Sequence, residues 1–441
     1  MEILLVNPRV REWAQPNCFP TGLGYIASYL RLRGYDVEVW DFNAMRQEDL
    51  TYEGIIRSYK YDVLGITGII TQYNDVKELA KFARDHNPDV KIVCGGTIAT
   101  SIPEVLLETT CVDRCILGEG EIQMVEYLRS LKSGRLPRVP GLIEDLQHLP
   151  RPAYDKFPME VYLNNPIAYY NTNKWIDGRV GESDEKIDPP KSINMIGSRG
   201  CPYNCIFCYH NYMGDKYRVR DPLDIFFEIS YLINEYDVGY VHFVDDAFVC
   251  NKAFVEEFCS LIKPMGIKWS CSGRVNVMTD ELAETMASAG CLGVCYGLES
   301  ASQVMLDRMN KKVSVDQYRK AIEINKRHFV YEDYTFVIGT PGETDGTVAE
   351  SVNFCEEMGI TPTSVFYMTP YPGTPLFSEL VRTNKEFRYM VCYLYTKWIS
   401  GLGEQGEQVA WDCCGVGIKK LHEWKELFIE ETGAWNKKKH S

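Results

Sequence analysis

The sequence predicts an α/β chain with two successive parallel sheets: a doubly wound sheet first, then a partial (β/α)6 barrel, and finally a small α-rich carboxyl-terminal segment. Three observations carry that expectation. Short apolar strands alternate with amphipathic helices over about the first 131 residues, and alternation with short connections calls for parallel pairing with helical crossovers. A stretch rich in proline, glycine and polar groups then breaks the pattern. A second alternating series begins at "INMIG" and supplies six more strands.

The first strand is "ILLV". A helix from Thr21 follows, with Leu23, Ile26, Ala27 and Leu30 on one face and Gly34 beyond its end. "VEVW" and "DVLGIT" are the next strands, and Val76, Leu79, Ala80 and Ala83 mark another helical face. "KIVCGG", "RCILGEGE" and a helix with Met124, Leu128 and Leu131 complete a unit expected over residues 1–135. Residues 136–192 read as a linker, "LPRVPGLIEDLQHLPRPAYDKFP" as a connecting segment and "GRVGESDEKIDPP" as an exposed acidic loop. The barrel is expected over 193–375, with strands "INMIG", "YVHFV", "IKWSC", "GVCYGLE", "YTFVI" and "SVFYM". Helical faces between them are Ile225, Ile229 and Leu232, then Leu282, Met286 and Ala289, then Val348, Val352 and Cys355. Over residues 376–441 the alternation stops. Leu421, Trp424 and Phe428 mark one more helix, and "KKKHS" reads as a frayed end.

With 441 residues the chain can bury two or three full-sized cores. Its make-up, 45% hydrophobic and 24% charged, is that of a globular enzyme in water. No apolar run approaches a membrane span, and "MEILLVNPRVREW" lacks the apolar stretch of a secretory signal, so no membrane contact and a cytoplasmic location are expected. A formal charge of -14 argues against unspecific nucleic-acid binding. Sixteen scattered cysteines without a signal peptide favour reduced thiols and a metal site over disulfides.

Ligands of doubly wound sheets sit beyond the carboxyl ends of the strands. Here those ends read "NPRVREWAQPNCFPTGLG", "TGIITQYN", "GGTIATS" and "GEGE". Glycine lets a backbone approach a bulky ligand closely. No G-x-G-x-x-G follows the first strand, which disfavours a dinucleotide. In the barrel, chemistry belongs at the carboxyl-terminal mouth. There Cys201, Cys205 and Cys208 form C-x-x-x-C-x-x-C in a glycine- and proline-bearing loop after the first barrel strand. They could be core thiols. They could bind zinc with nearby His210, although no second close cysteine pair stands at matching spacing. They could also hold an iron–sulfur cluster with one iron open to a small-molecule ligand, which fits the mouth of a barrel.

"IGSRGCPYNCIFCYHN" at this place resembles the radical S-adenosylmethionine (SAM) superfamily, and the resemblance spans nearly the whole barrel. It implies that Cys201, Cys205 and Cys208 hold a [4Fe–4S] cluster whose fourth iron is chelated by SAM, with Phe207 beside adenine. Other strand ends match in order. In "FVDDAF", Asp245 or Asp246 would contact the methionine part, or cap the next helix. In "SGRVN", Arg274 would meet a carboxylate or form a structural ion pair. In "YGLES", Glu299 would contact the ribose or amino acid part. In "FVIGTPGET", Gly339 and Pro341 would approach adenine, with Glu343 as a helix-start carboxylate.

The first unit is similar to the Rossmann-like cobalamin-binding domain that precedes this barrel in the class B radical SAM methyltransferases. By that resemblance Thr21, Gly22, Leu23, Thr67, Gly68, Ile70, Thr71, Gln72, Gly95, Gly96, Thr97, Gly118, Glu119 and Gly120 would line the corrin and its nucleotide tail. No D-x-H-x-x-G is present, so the residue beneath cobalt is expected from the loop after "DVLGIT", among Ile69, Ile70, Thr71, Gln72 and Tyr73.

The resemblance implies a C-methyltransferase; the acidity and cysteine content are compatible with an anaerobic host, and a monomer is expected. An electron from a donor such as ferredoxin or flavodoxin would cleave SAM, and the 5′-deoxyadenosyl radical would take hydrogen from an unactivated carbon. That carbon would accept the methyl group of methylcobalamin. The acceptor would be a small molecule or a protein or peptide residue, one candidate being a residue of methyl-coenzyme M reductase. Tyr367 and Tyr371 in "YMTPYPGTP" stand near the mouth for a radical or proton role, packing being the alternative. Cys392, Cys413 and Cys414 would be plain side chains or a second metal site. The same parts would also serve a cyclase, a rearrangement enzyme or a dehydrogenase, and a cobalamin-binding sensor is the non-enzymatic alternative.

Overall fold

The computed structural model describes residues 1–10, 16–45, 51–134, 141–147, 149–164, 190–209, 216–383 and 411–434. In the first sheet β1 (Glu2–Asn7), β2 (Asp36–Asp41), β3 (Val63–Ile66), β4 (Lys91–Cys94) and β5 (Arg114–Cys115) run parallel in the order β2-β1-β3-β4-β5. Successive side chains of a strand point to opposite faces. Ile3 and Leu5 therefore pack with Leu23, Ala27, Leu30 and Leu128 of helices α1 (Thr21–Leu32) and α6 (Gly120–Ser133). Leu4 and Val6 pack on the other face with Val76, Leu79, Ala80 and Ala83 of α3 (Tyr73–His86). Both faces are covered, as the alternation predicts. Between α1 and α6 the chain also forms α2 (Tyr52–Ser58), α4 (Gly96–Ser101) and α5 (Pro103–Thr109). The strand order places the topological switch between β1 and β3, which opens a crevice at their carboxyl ends.

The second sheet has six parallel strands in sequence order: β6 (Ser192–Met195), β9 (Tyr240–Phe243), β10 (Lys268–Gly273), β11 (Cys291–Glu299), β12 (Asp333–Ile338) and β13 (Ser364–Tyr367). β6 and β13 form its two edges, so the barrel is partial. Its outer core is apolar and aromatic, with Trp269, Phe243, Phe248 and Phe258 fully buried together. The predicted helical faces Ile225, Ile229 and Leu232, then Leu282 and Met286, then Val348 and Cys355, are buried against it.

Three features depart from the sequence expectations. A hairpin of β7 (Ser198–Arg199) and β8 (Arg218–Val219) interrupts the alternation, with strands too short for any period to reveal them. The linker is not merely a connection: Tyr154, Phe157 and Tyr162 are buried around Phe19, with ring centroids 4.9 to 5.8 Å away. The helix after β12 starts at Asp345, capped by Thr344, so Glu343 stands before it rather than in its first turn. The tail forms a helix over Ile418–Thr432 that buries Leu421, Trp424 and Phe428 as predicted. Most of the acidic loop, "KKKHS", His210 and Cys392 lie outside the described residues. Among the described residues no helix is long and apolar enough to cross a membrane.

Candidate functional site

The barrel mouth holds a cavity of about 760 Å³, part of it open to solvent, lined by Cys201, Cys205, Cys208, Phe207, Asp246, Arg274, Glu299 and Lys311 among others. The cysteine loop is held from two sides. Beneath it, the Asp245 carboxylate accepts from the backbone of Gly197 (3.0 Å) and from the backbone and hydroxyl of Ser198. Beside it, Ile206 N donates to Met309 O (3.0 Å) and Asn310 Nδ2 to Asn204 O (2.7 Å). All three thiols are free. Burial raises the Cys201 thiol and pushes Cys208 up to about 12, so a metal must displace protons on binding. Among the described residues no three His, Cys, Asp or Glu side chains close around a single ion. Cys201, Cys205 and Cys208 line one cavity together, which suits a four-iron cluster whose thiolates each take a different iron.

Charged side chains complete the cavity. Glu299 has φ +65, at a register shift that ends β11. A Cβ at Gly297 would come within 2.2 Å of its carboxylate, so that glycine makes its room. Lys311 Nζ pairs with Glu299 at 3.1 Å, both largely buried. A non-glycine residue held at positive φ stores strain, and such strain gathers at functional sites. Asp246 lines the cavity, exposed to its open side, and desolvation by the surrounding protein raises its carboxyl. Asp245 is the corrected member of that pair: it faces the Ser198 backbone, not the cavity, and burial pushes it up to about 7. Among the described residues Arg274 makes no ion pair; it donates to Cys205 and to the Lys311 carbonyl. Gly339 and Pro341 are not part of the cavity lining. Gly339, at φ +91, faces Met368 and Leu421, and Met368 packs in turn on Phe207 and Cys413. The Glu343 carboxylate accepts from the backbone of Gly339 and Thr340, and burial pushes it up to about 7.

The first sheet holds a second cavity of about 540 Å³ at its switch point, lined by Gly22, Leu23, Thr67, Gly95, Gly96, Gly118 and Gly120 over the apolar Leu5, Ile26, Val93, Ile116 and Met124. Its glycines are a physical requirement. At Gly96, with φ +79, a Cβ would come within 2.5 Å of Gly68 O; at Gly95 a Cβ would meet nothing within 4 Å and project into open space. A cradle without side chains suits a bulky ligand.

Other expected members of this pocket do different work. Glu119 is buried in ion pairs with Arg199 (3.1 Å) and Arg218 (2.8 Å) and accepts from Ile143 N. Gln72 turns inward, its amide donating to Pro8 O at 2.8 Å and its oxygen accepting from Ile69 N. The Thr21 hydroxyl accepts from Asn194, Gly68 O accepts from Ile98 N, and Ile70 is buried in the core of the α3 face. Thr97 offers its carbonyl to Tyr209 Oη at 3.5 Å. Thr71 Oγ1 is buried without a hydrogen-bond partner, and Ile69 is the loop residue that stands 40% exposed.

These contacts join the sheets by their carboxyl ends. Arg199 lies two residues before Cys201, and its guanidinium spans Glu119 and Glu121 (2.7 Å), on the turn that carries Gly118 and Gly120. Tyr209 follows Cys208 and touches the Gly96 turn. Tyr371 and Phe377 pack into the core of the first sheet. Neither tyrosine lines the two cavities: Tyr367 Oη bonds His422 Nδ1 at 2.8 Å beneath Lys425. Lys311 and Arg218 had no signal in the sequence, and Arg199 and Tyr203, though inside "IGSRGCPYNCIFCYHN", hold positions that the cysteine spacing leaves unspecified.

A model of the Radical SAM superfamily matches residues 195–355, and a model of the B12 binding domain matches residues 12–128. An uncharacterized methyltransferase of Pyrococcus horikoshii is 31% identical over 412 residues, covering 87% of this chain and 84% of that protein. The chain belongs to the radical SAM superfamily. It is a radical SAM enzyme with a B12-binding domain ahead of its barrel, and a [4Fe–4S] cluster, SAM and cobalamin are its cofactors. The enzyme is also similar to the anaerobic magnesium-protoporphyrin IX monomethyl ester cyclase of Rubrivivax gelatinosus, at 28% identity over 86% of this chain and 70% of that one. The radical SAM methyltransferase TsrM of Kitasatospora setae, solved with cobalamin and a [4Fe–4S] cluster, shares the fold with TM-score 0.68 and 20% identity over 87% of this chain and 75% of that one.

Proposed function

We propose that the enzyme is a cobalamin-dependent C-methyltransferase acting on an unactivated carbon. The observation that carries this is the joining of a glycine-built cavity to a thiol-lined cavity through one buried seam. Work divides over residues 1–135 for cobalamin, 136–192 as connection, 193–375 for the cluster and SAM, and 376–441 on the substrate side. Cys201, Cys205 and Cys208 hold the cluster, and Gly22, Leu23, Thr67, Gly95, Gly96, Gly118 and Gly120 cradle the corrinoid. The cofactors supply the radical and the methyl group, while the protein orients them and keeps water out.

SAM is a zwitterion, and the barrel cavity offers both signs. Asp246 and Glu299 would accept from its ammonium and ribose hydroxyls, and Lys311 positions Glu299. Phe207 offers a flat face, backed by Met309 and Met368, for the adenine. Ile69, exposed in the loop after β3, would meet a bound corrinoid more readily than Gln72, whose amide is already engaged. A low-potential donor such as ferredoxin or flavodoxin provides the electron. Among the described residues nothing singles out methyl-coenzyme M reductase as acceptor.

The likeness to a cyclase supports a second reading, radical chemistry without methyl transfer. Anaerobically reconstituted protein, incubated with methyl-labelled SAM, a reductant and host-cell extract, separates the two. Label in a product other than methionine or methylcobalamin, and absent when the enzyme is left out, supports the transferase. 5′-Deoxyadenosine without such a product supports the cyclase type, and neither signal after reduction rejects both.

A further inference from the structure

Arg274 is a cation at the cluster cavity with no carboxylate on it among the described residues. It follows the end of β10, half-buried, and its guanidinium lies 3.5 Å from the ring centroid of Tyr203. Each arm of the fork is engaged. Nε donates to Asn276 Oδ1 at 3.4 Å, Nη2 donates to the Lys311 carbonyl, and Nη1 donates to Cys205 Sγ at 3.8 Å. Asn276 Nδ2 reaches Tyr203 Oη at 3.0 Å, which fixes the stacking platform. Of the two cavity carboxylates, Glu299 is held by Lys311, and Arg274 forms no ion pair with either among the described residues. The anion placed to balance Arg274 is therefore the Cys205 sulfur once it is a thiolate.

We infer that Arg274 tunes the cluster, holding its reduction potential up through a charge-assisted N–H to S contact on Cys205. The inference rests on the assignment of the three cysteines as cluster ligands. One-electron reduction adds negative charge to the cluster, and hydrogen bonds to its sulfurs and nearby charge set its potential. A cation touching one ligand stabilises the reduced state more than the oxidised one. Contact with the sulfur needs the planar fork stacked on Tyr203, which a lysine does not reproduce. Tyr203 thus serves the site through its ring, on which the Arg274 guanidinium lies.

Redox titration of the full-length, anaerobically reconstituted protein, followed by electron paramagnetic resonance, tests this. Arg274→Met should lower the reduced-to-oxidised ratio about tenfold at the wild-type midpoint, a shift of about 59 mV for one electron, with iron and sulfide unchanged. Arg274→Lys and Tyr203→Leu should move the midpoint in the same direction by less. If Arg274→Met fails to hold a cluster, those two variants decide. An unmoved midpoint at full iron content overturns the inference alone. A wild-type protein that assembles no cluster overturns the ligand assignment, and the tuning with it.

Discussion

The cavity of the first sheet is bounded by glycine backbone and aliphatic side chains, whereas that of the barrel is bounded by four thiols (the three of the cysteine loop and Cys295), two carboxylates and two cations. Each is suited to a different ligand. A large ring with a long tail is held by shape, and adding any side chain to its cradle is harmful. A small zwitterion is held by charge, and removing a side chain is harmful. Arg199, which spans from the hairpin beside the thiols to Glu119 and Glu121, ties the two kinds of site together.

The sharpest way to break this comparison is to remove one thiol. Cys205→Ala should abolish iron–sulfur absorption and all 5′-deoxyadenosine formation while leaving corrinoid binding intact, as read from visible spectra and chromatography of the products. Cutting the tie comes next. Arg199→Met leaves two buried carboxylates short of a cation, and should destabilise the protein by about 3–5 kcal/mol in denaturant unfolding. Filling the cradle is smaller and one-sided. Gly95→Leu adds bulk where a Cβ meets open space, so corrinoid affinity should fall roughly 100-fold, about 2.8 kcal/mol, with cluster content and melting temperature near wild type.

The smallest effect concerns a carboxyl behind the charged site. Burial holds Glu343 at about 7 in the folded state, above its ordinary 4.5. Folding therefore favours the protonated form. That contribution is complete below about pH 4.5 and is lost as pH rises through about 7, with a slope of at most about 1.4 kcal/mol per pH unit. Asp245, also pushed up to about 7 by burial, adds a slope of the same sign. Unfolding of Glu343→Gln measured at several pH values should show a flatter decline across that window, because glutamine still accepts the two backbone N–H groups.

Both sheets were legible in the sequence, since apolar strands such as "ILLV" and faces such as Val76, Leu79, Ala80 and Ala83 repeat at periods that backbone geometry imposes. The thiols and the glycine turns were legible too, because their chemistry needs them close in sequence. What was not legible is which polar residues already have partners. Glu119, Gln72 and Asp245 looked like ligand groups, yet their partners return from elsewhere in the chain: Arg199 and Arg218, the Pro8 carbonyl, and the Ser198 backbone. Lys311 was missed for the converse reason. Nothing in "MNKKV" tells that its loop packs against the cysteine loop and brings that amine to Glu299.

The shared salt links have a consequence for how such proteins can be recombined. Glu119 and Glu121 come from the turn after β5, while Arg199 and Arg218 come from the β7–β8 hairpin of the barrel half, and all four are shut away from water. Excised alone, either half would expose a patch of like charge that had been desolvated, and a chimera with a foreign partner would trap it unmatched. A barrel of this kind is thus transplantable only together with the acidic turn that greets it, so the two halves should be exchanged between relatives as one cassette.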